Sequence, residues 1–128
     1  MNEQELNVIE YLGEHGIKTG SHVYGVVVED SDIDFILDSE LVSEFKDILA
    51  ASGIEFFPAR RWYNDVNSSC YFMLDGEQYN IISLSEQDVK MWVFATEMMT
   101  KIRPIKDKIL RHHMFDHFKE LYIKQEMK

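Results

Sequence analysis

Cysteine is nearly absent from this 128-residue sequence, and long apolar runs are absent altogether. Cys70 has no second cysteine with which to form an internal disulfide, and this favours a reducing compartment. No apolar run reaches the length of a membrane-spanning helix, and the acidic first residues do not form a signal peptide. Together these absences predict a cytoplasmic protein without a membrane partner.

Basic residues are also scarce. The chain has 13 Lys and Arg against 23 Asp and Glu, so its formal net charge is −10. Because that charge repels phosphate backbones, we expect no extended nucleic-acid surface. A nucleotide site remains compatible with it, since a bound Mg²⁺ reverses the local charge.

The sequence also lacks internal repeats, low-complexity tracts and evident linkers. Its hydrophobic content of 45% is enough for a core, and its length fits one domain. We therefore expect residues 1–128 to form a single domain, with a sheet and its helices over 1–84 and C-terminal helices over 85–128.

The most informative stretch is 20–37. Gly20 and Ser21 come first, ten residues intervene, and Asp32 and Asp34 then enclose one isoleucine at the start of an apolar run. Residues two apart on a strand point to the same face, so the two carboxylates should project together. Neighbouring carboxylates need a cation, a shared proton or water between them. Hard oxygen ligands beside a small-residue turn are suited to Mg²⁺ and phosphate.

This pattern resembles the signature of the DNA polymerase β-like nucleotidyltransferase superfamily, above all its small stand-alone (minimal) members of prokaryotes and their viruses. Ser-Asp-Ile-Asp-Phe-Ile at 31–36 matches the Ser-Asp-h-Asp-h-h of that family, where h is hydrophobic. The resemblance implies that Asp32 and Asp34 are catalytic and hold Mg²⁺. It also implies that Gly20 and Ser21 contact the phosphates of an NTP. The implied reaction transfers an NMP to an acceptor: a protein hydroxyl, a small molecule or an RNA end.

The family has a third carboxylate, on a strand that corresponds to the second strand of a predicted hairpin. At that place this sequence has Asn80, between Tyr79 and Ile81. An asparagine cannot act as a base, although its carbonyl oxygen can still bind a metal. The implied metal set is therefore Asp32, Asp34 and Asn80, which suits the nucleotide-bound Mg²⁺ better than the catalytic one.

Several alternatives follow from Asn80. The protein is an active enzyme in which Asp65, Asp75 or Glu77 substitutes for the third carboxylate, or it is a slow enzyme. Alternatively, it is a catalytically impaired homologue that acts as a nucleotide-binding or protein-binding regulatory module. A third interpretation is that the Asp pair is a solvated edge beside a turn, in a protein that binds no nucleotide.

Three further side chains could serve a nucleotide site. Arg60 and Arg61 could neutralise a triphosphate or a phosphorylated acceptor, although surface-loop arginines are an equal interpretation. Tyr24 follows the Gly-Ser pair closely and could line the pocket or simply pack.

The periodicity of apolar residues predicts an α/β fold: a mixed sheet of four or five strands with helices on one side. A C-terminal helical pair should pack on the sheet or on a partner, and a homodimer would bury its first helix, which is apolar nearly all round. Helices are predicted over 3–14, from an N-cap at Ser39 to Ser52, from Ser85, and from Pro104 to about 125. Strands are predicted over 17–19, 32–37, 54–58, 70–74 and 79–84.

Overall fold

The computed structural model describes residues 1–26, 32–59, 69–102 and 104–127. Within these ranges the chain forms five helices and five strands, and the predicted α/β class is confirmed. In chain order the elements are α1 (Glu3–His15), β1 (Ile17–Thr19), α2 (Ser21–Tyr24), β2 (Ile33–Asp38), α3 (Ser39–Ala51), β3 (Phe56–Pro58), β4 (Cys70–Leu74), β5 (Glu77–Leu84), α4 (Glu86–Thr100) and α5 (Lys108–Glu126).

The described strands form one mixed sheet in the order β1-β2-β5-β4-β3. β2 and β5 run parallel, and the other neighbours are antiparallel. The predicted hairpin joins β4 to β5 through Asp75 and Gly76, whose φ angles are 52° and 80°. Positive φ at both turn residues matches the twist of the flanking strands, which explains why Asp-Gly is favoured there.

Helices cover both faces of the sheet, so the expectation of helices on one side was wrong. α1 and α3 pack on one face, and α4 packs on the other, where α5 lies against α4. The central strands are therefore buried on both faces, and 80–84 of β5 are all buried. α4 closes the second face, where Val89 and Trp92 pack against the apolar residues Ile36, Ile82 and Leu84.

The start of α3 differs from the prediction by one residue. Asp38, not Ser39, is the N-cap, because its side-chain Oδ1 accepts from the backbone N–H of Glu40 at 2.9 Å. Aspartate and serine are comparable caps, and β2 ends at Asp38, directly before the first helical residue. The predicted N-cap at Ser85 is confirmed, since its hydroxyl accepts from the N–H of Asp88.

The start of α5 was also predicted wrongly. Pro104 lies outside the helix, which begins at Lys108 after an N-cap at Asp107. Other contacts hold residues 104–107 in a non-helical conformation. Ile105 forms a bridge with Gly25, and Arg111 donates from Nη1 to the carbonyl oxygen of Ile105 at 2.8 Å. A helix that began at Pro104 would lose them.

α5 does not bury the whole of its apolar stripe. The side chains of Ile109 and Leu110 are 70% and 49% exposed, whereas Phe115 is 6% exposed and packs on α4. Among the described helices none has both the length and the apolar character needed to cross a bilayer.

Candidate functional site

The two carboxylates of the Asp pair lie together at the start of β2. Asp32 immediately precedes the strand and Asp34 is its second residue. One nitrogen, Nδ2 of Asn80, donates to both: to Oδ2 of Asp32 at 3.1 Å and to Oδ1 of Asp34 at 2.8 Å. The structure therefore brings these three predicted residues into one cluster.

The sheet register explains this cluster. β2 and β5 are parallel neighbours, and Asp34 is paired with Asn80. Paired residues of adjacent strands point to the same face, so the Asn80 side chain stands beside that of Asp34. Asn80 is 8% exposed, whereas Asp32 and Asp34 are half-buried.

Gln78 completes the cluster, and the sequence reasoning missed it. It lies two residues before Asn80 on β5 and therefore on the same face. Its Nε2 donates to Oδ1 of Asn80 at 3.0 Å and is 3.5 Å from Oδ2 of Asp32. The alternation of β5 could have identified Gln78, once Asn80 had been placed in the site.

The arrangement provides oxygen ligands for a hard cation. The Asn80 amino group occupies the space between two carboxylate oxygens, where a Mg²⁺ ion would also be attracted. Rotating the Asn80 amide would present its carbonyl oxygen instead. Within the described ranges no group of three or more His, Cys, Asp or Glu side chains could hold a metal. The cluster itself contains two carboxylates and the Asn80 amide.

Gly20 joins the Gly-Ser pair directly to the Asp pair. Its φ of 78° and ψ of −162° belong to a region that L side chains rarely adopt. A Cβ at this position would overlap Oδ2 of Asp34 and lie 3.1 Å from its Cγ. The glycine is therefore required both by its backbone conformation and by the carboxylate that covers it. Ser21 follows as the first residue of α2 and is half-buried.

A buried polar contact supports the site from α4. Thr19, at the end of β1, is paired with Asp34 of β2, and its Oγ1 lies 2.8 Å from Oγ1 of Thr96. Because the Thr96 hydroxyl donates to the carbonyl oxygen of Trp92 at 2.8 Å, Thr19 is the donor in the Thr pair. These two threonines, 2% and 6% exposed, fix the chain just before Gly20.

Tyr24 lies near the same cluster, beside Asp34. Burial, followed by the negative charge of Asp34, raises the pKa of the Tyr24 hydroxyl from 10.0 to about 12. Its ring stacks on Phe115 with centroids 6.0 Å apart. Tyr24 is therefore a neutral phenol near Asp34, and it both packs and faces the site.

The cation that the structure places beside the Gly-Ser loop is Arg111 of α5. Its Cζ lies 3.2 Å from the point where a Cβ on Gly25 would sit, and that same point is 3.1 Å from Cβ of Ser21. Nothing in the sequence indicates this proximity, because Ser21 and Arg111 are 90 positions apart. The expected cations, Arg60 and Arg61, lie outside the described residues, as does Ser31 of the motif.

The proposed substitutes for a third carboxylate do not join the cluster where they are described. Glu77 is a residue of β5, not of the turn, and its odd position puts it on the opposite face from Asn80. The charges of these residues act instead on Tyr79: burial, followed by the charges of Glu77 and Asp75, raises the pKa of the Tyr79 hydroxyl. Asp65 lies outside the described residues.

Comparisons with known proteins provide little beyond this geometry. No protein-family model matches the chain, and no curated protein matches it. Among solved structures, the chain is similar to that of the Cid1 poly(U) polymerase, with a TM-score of 0.48 and 16% identity. The alignment covers 76% of this chain and 31% of that chain, so this chain spans about a third of its length.

Proposed function

We propose that this protein is a nucleotidyltransferase-like protein that transfers an NMP from a Mg²⁺-bound NTP to a hydroxyl or phosphate acceptor. In that reaction an acceptor oxygen bonds to the α-phosphorus, the bond to pyrophosphate breaks, and the acceptor gives up its proton. The resemblance at 31–36 to small stand-alone nucleotidyltransferases suggests this reaction, with a protein, a small molecule or an RNA end as the acceptor.

The observation that carries the proposal is the contact between Gly20 and Asp34. The two halves of the motif are separated by ten residues in the sequence, yet the Asp34 carboxylate lies directly against the Cα of Gly20. A phosphate chain held at the Gly20-Ser21 backbone would therefore be next to the carboxylates. This contact leaves no room for a side chain at residue 20, which an Asp pair unrelated to the Gly-Ser turn would not require.

Each member of the cluster has a role in this proposal. Asp32 and Asp34 would hold Mg²⁺, with the carbonyl oxygen of Asn80 as a further ligand. When bound, the ion would stabilise the charge on the phosphates. Ser21 would donate its hydroxyl to a phosphate oxygen, and Arg111 would supply a positive charge at the same loop. Because Asn80 cannot accept the acceptor's proton, one of the two aspartates would have to do so.

A second function is favoured by Asn80 itself. Its amino group donates to both aspartates, so the two carboxylates are satisfied without a cation. A homologue that has lost the third carboxylate in this way could bind a nucleotide, or a protein partner, without transferring a nucleotidyl group. This alternative describes a regulatory module rather than an enzyme.

The test is calorimetric titration with ATP, GTP, CTP and UTP, with and without Mg²⁺. Wild type should show saturable, Mg²⁺-dependent binding of at least one nucleotide. The double variant Asp32→Asn/Asp34→Asn should lose it, since its neutral amides bind Mg²⁺ poorly. Asp47→Asn, an exposed position on α3, removes a like charge and should leave binding unchanged.

Incubation with α-labelled nucleotide then separates the two functions. Labelled acceptor, abolished by Asp32→Asn and unchanged or increased by Asn80→Asp, supports the transferase. Binding without any labelled product supports the regulatory module. Equal binding by wild type and the double variant would refute the proposed site, whatever the product.

A further inference from the structure

The Gln78 side chain contacts the amide of Asn80 and not only the carboxylates. It reaches the Asn80 carbonyl oxygen at 3.0 Å, while the Asn80 amino group faces Asp32 and Asp34. Resting on the proposed function, we infer that Gln78 is a positioning residue: it determines which end of the Asn80 amide faces the Asp pair, and hence how tightly the site binds a divalent cation.

The present orientation opposes cation binding. With its amino group between the carboxylates, Asn80 occupies the place of the ion and presents hydrogens to it. Its carbonyl oxygen, the only atom of this side chain that can ligate a metal, points to Gln78 instead. A cation can therefore gain Asn80 as a ligand only when the amide turns over.

Turning the amide over requires a partner that can exchange roles. Asn80 is 8% exposed, so water cannot readily satisfy whichever end faces Gln78. An amide side chain can donate through Nε2 or accept through Oε1. Gln78 can thus pair with the Asn80 carbonyl in the cation-free state and with its amino group in the cation-bound state.

Other residues at position 78 would lack this ability. Substitutions there should therefore give a definite order of cation affinities. Leucine would leave the Asn80 carbonyl oxygen without a donor before the turn and its amino group without an acceptor after it. Because a buried N–H is costlier to leave unpaired than a buried carbonyl oxygen, cation binding should weaken. Glutamate, which only accepts hydrogen bonds, would favour the turned amide and would therefore strengthen cation binding. The expected order of affinity is Gln78→Glu, then wild type, then Gln78→Leu.

The experiment measures Mn²⁺ affinity by electron paramagnetic resonance of the free ion, with the protein alone and with ATP. Gln78→Leu should raise the dissociation constant by up to about fivefold, the effect of one lost hydrogen bond, since the loss of the donor in the cation-free state offsets part of the cost. The same substitution in an Asn80→Ala background should have no effect, because no amide remains to be turned. Gln87→Leu, at an exposed position of α4, controls for the leucine itself.

A spectroscopic readout reports the turn directly. In ¹⁵N-labelled protein, addition of Mg²⁺ should shift the side-chain amide resonances of Asn80 and Gln78 together, and Gln78→Leu should remove the coupled response. The Glu variant separates charge from orientation: its gain in affinity should be larger in wild type than in the Asn80→Ala background.

The outcomes distinguish the two proposals. If wild type binds no Mn²⁺ saturably, alone or with ATP, the proposed function fails, and the inference fails with it. If wild type binds Mn²⁺ but Gln78→Leu binds it equally well, only the inference is overturned. An equal loss in the Asn80→Ala background would also overturn it, because Gln78 would then act on the carboxylates directly.

Discussion

Replacement of Gly20 by alanine tests the contact on which the site depends. The residue combines a φ of 78° and a ψ of −162° with a carboxylate lying over its Cα. Backbone strain in such a region costs about 1–3 kcal/mol. The new methyl group must also push Asp34 aside and weaken its hydrogen bond with Asn80, which at a charged acceptor contributes about 1.5–3 kcal/mol. We expect Gly20→Ala to lower the free energy of unfolding by roughly 3–5 kcal/mol.

Gly53 provides the matched control. Its φ is 72°, but a Cβ there would meet nothing within 4 Å. Gly53→Ala should therefore show only the cost of the left-handed backbone, about 1–2 kcal/mol. Urea unfolding followed by far-ultraviolet circular dichroism gives both values. The difference between the two variants contains the collision with Asp34 together with any difference in backbone strain.

A double-mutant cycle separates the collision from the strain. In an Asp34→Ala background the carboxylate is gone, and Gly20→Ala should cost only about 1–3 kcal/mol. If Gly20→Ala alone does not fold, folding of the double variant would itself show the rescue. Equal costs for Gly20→Ala and Gly53→Ala, or an unchanged cost in the Asp34→Ala background, would refute the reasoning.

Two other predictions concern the supports of the site. Thr96→Val removes the buried acceptor of the Thr19 hydroxyl and should cost about 1–3 kcal/mol in urea unfolding. Thr100→Val on the exposed side of α4 should cost less than about 0.5 kcal/mol, and similar losses would contradict the buried pair. Arg111→Met should weaken calorimetric binding of the triphosphate roughly 10- to 150-fold, and that of adenosine little, because a charge-assisted contact contributes about 1.5–3 kcal/mol. Lys124→Met, at the far end of α5, should change neither, and equal effects of both variants would remove Arg111 from the phosphate site.

Much of the fold could be predicted because local rules and tertiary packing agree. The Asp-Gly pair at 75–76 identified the hairpin through the positive φ values that its turn requires. The capping pattern at Ser85 placed the start of α4. Helices on both faces were not predicted, because β5 is buried on both sides and a continuous apolar run does not reveal what covers each face.

The start of α5 shows where a local rule loses to a long-range contact. Proline is favoured in the first turn of a helix, and Pro104 was placed there for that reason. The structure instead uses 104–107 to bridge Gly25 and to receive the Arg111 side chain. The first contact joins segments about 80 residues apart, and the second depends on the helix that follows. Sequence periodicity therefore predicts neither of them.

The candidate site likewise combines features that local sequence predicts with features that depend on contacts between segments. Strand alternation was sufficient to place Asp32 and Asp34 on one face, and element order placed Asn80 on the neighbouring strand. The Asn80 amide contacts Asp34 of the neighbouring strand and Asp32 directly before it, and the conformation of Gly20 matters because of Asp34, so neither is a property of one segment. On the proposed function, the same residue that weakens the case for catalysis would give the chain a means of controlling its cation. A third aspartate would repel the pair until a metal arrived, whereas an amide can stabilise the pair when it is empty and bind the ion after turning over.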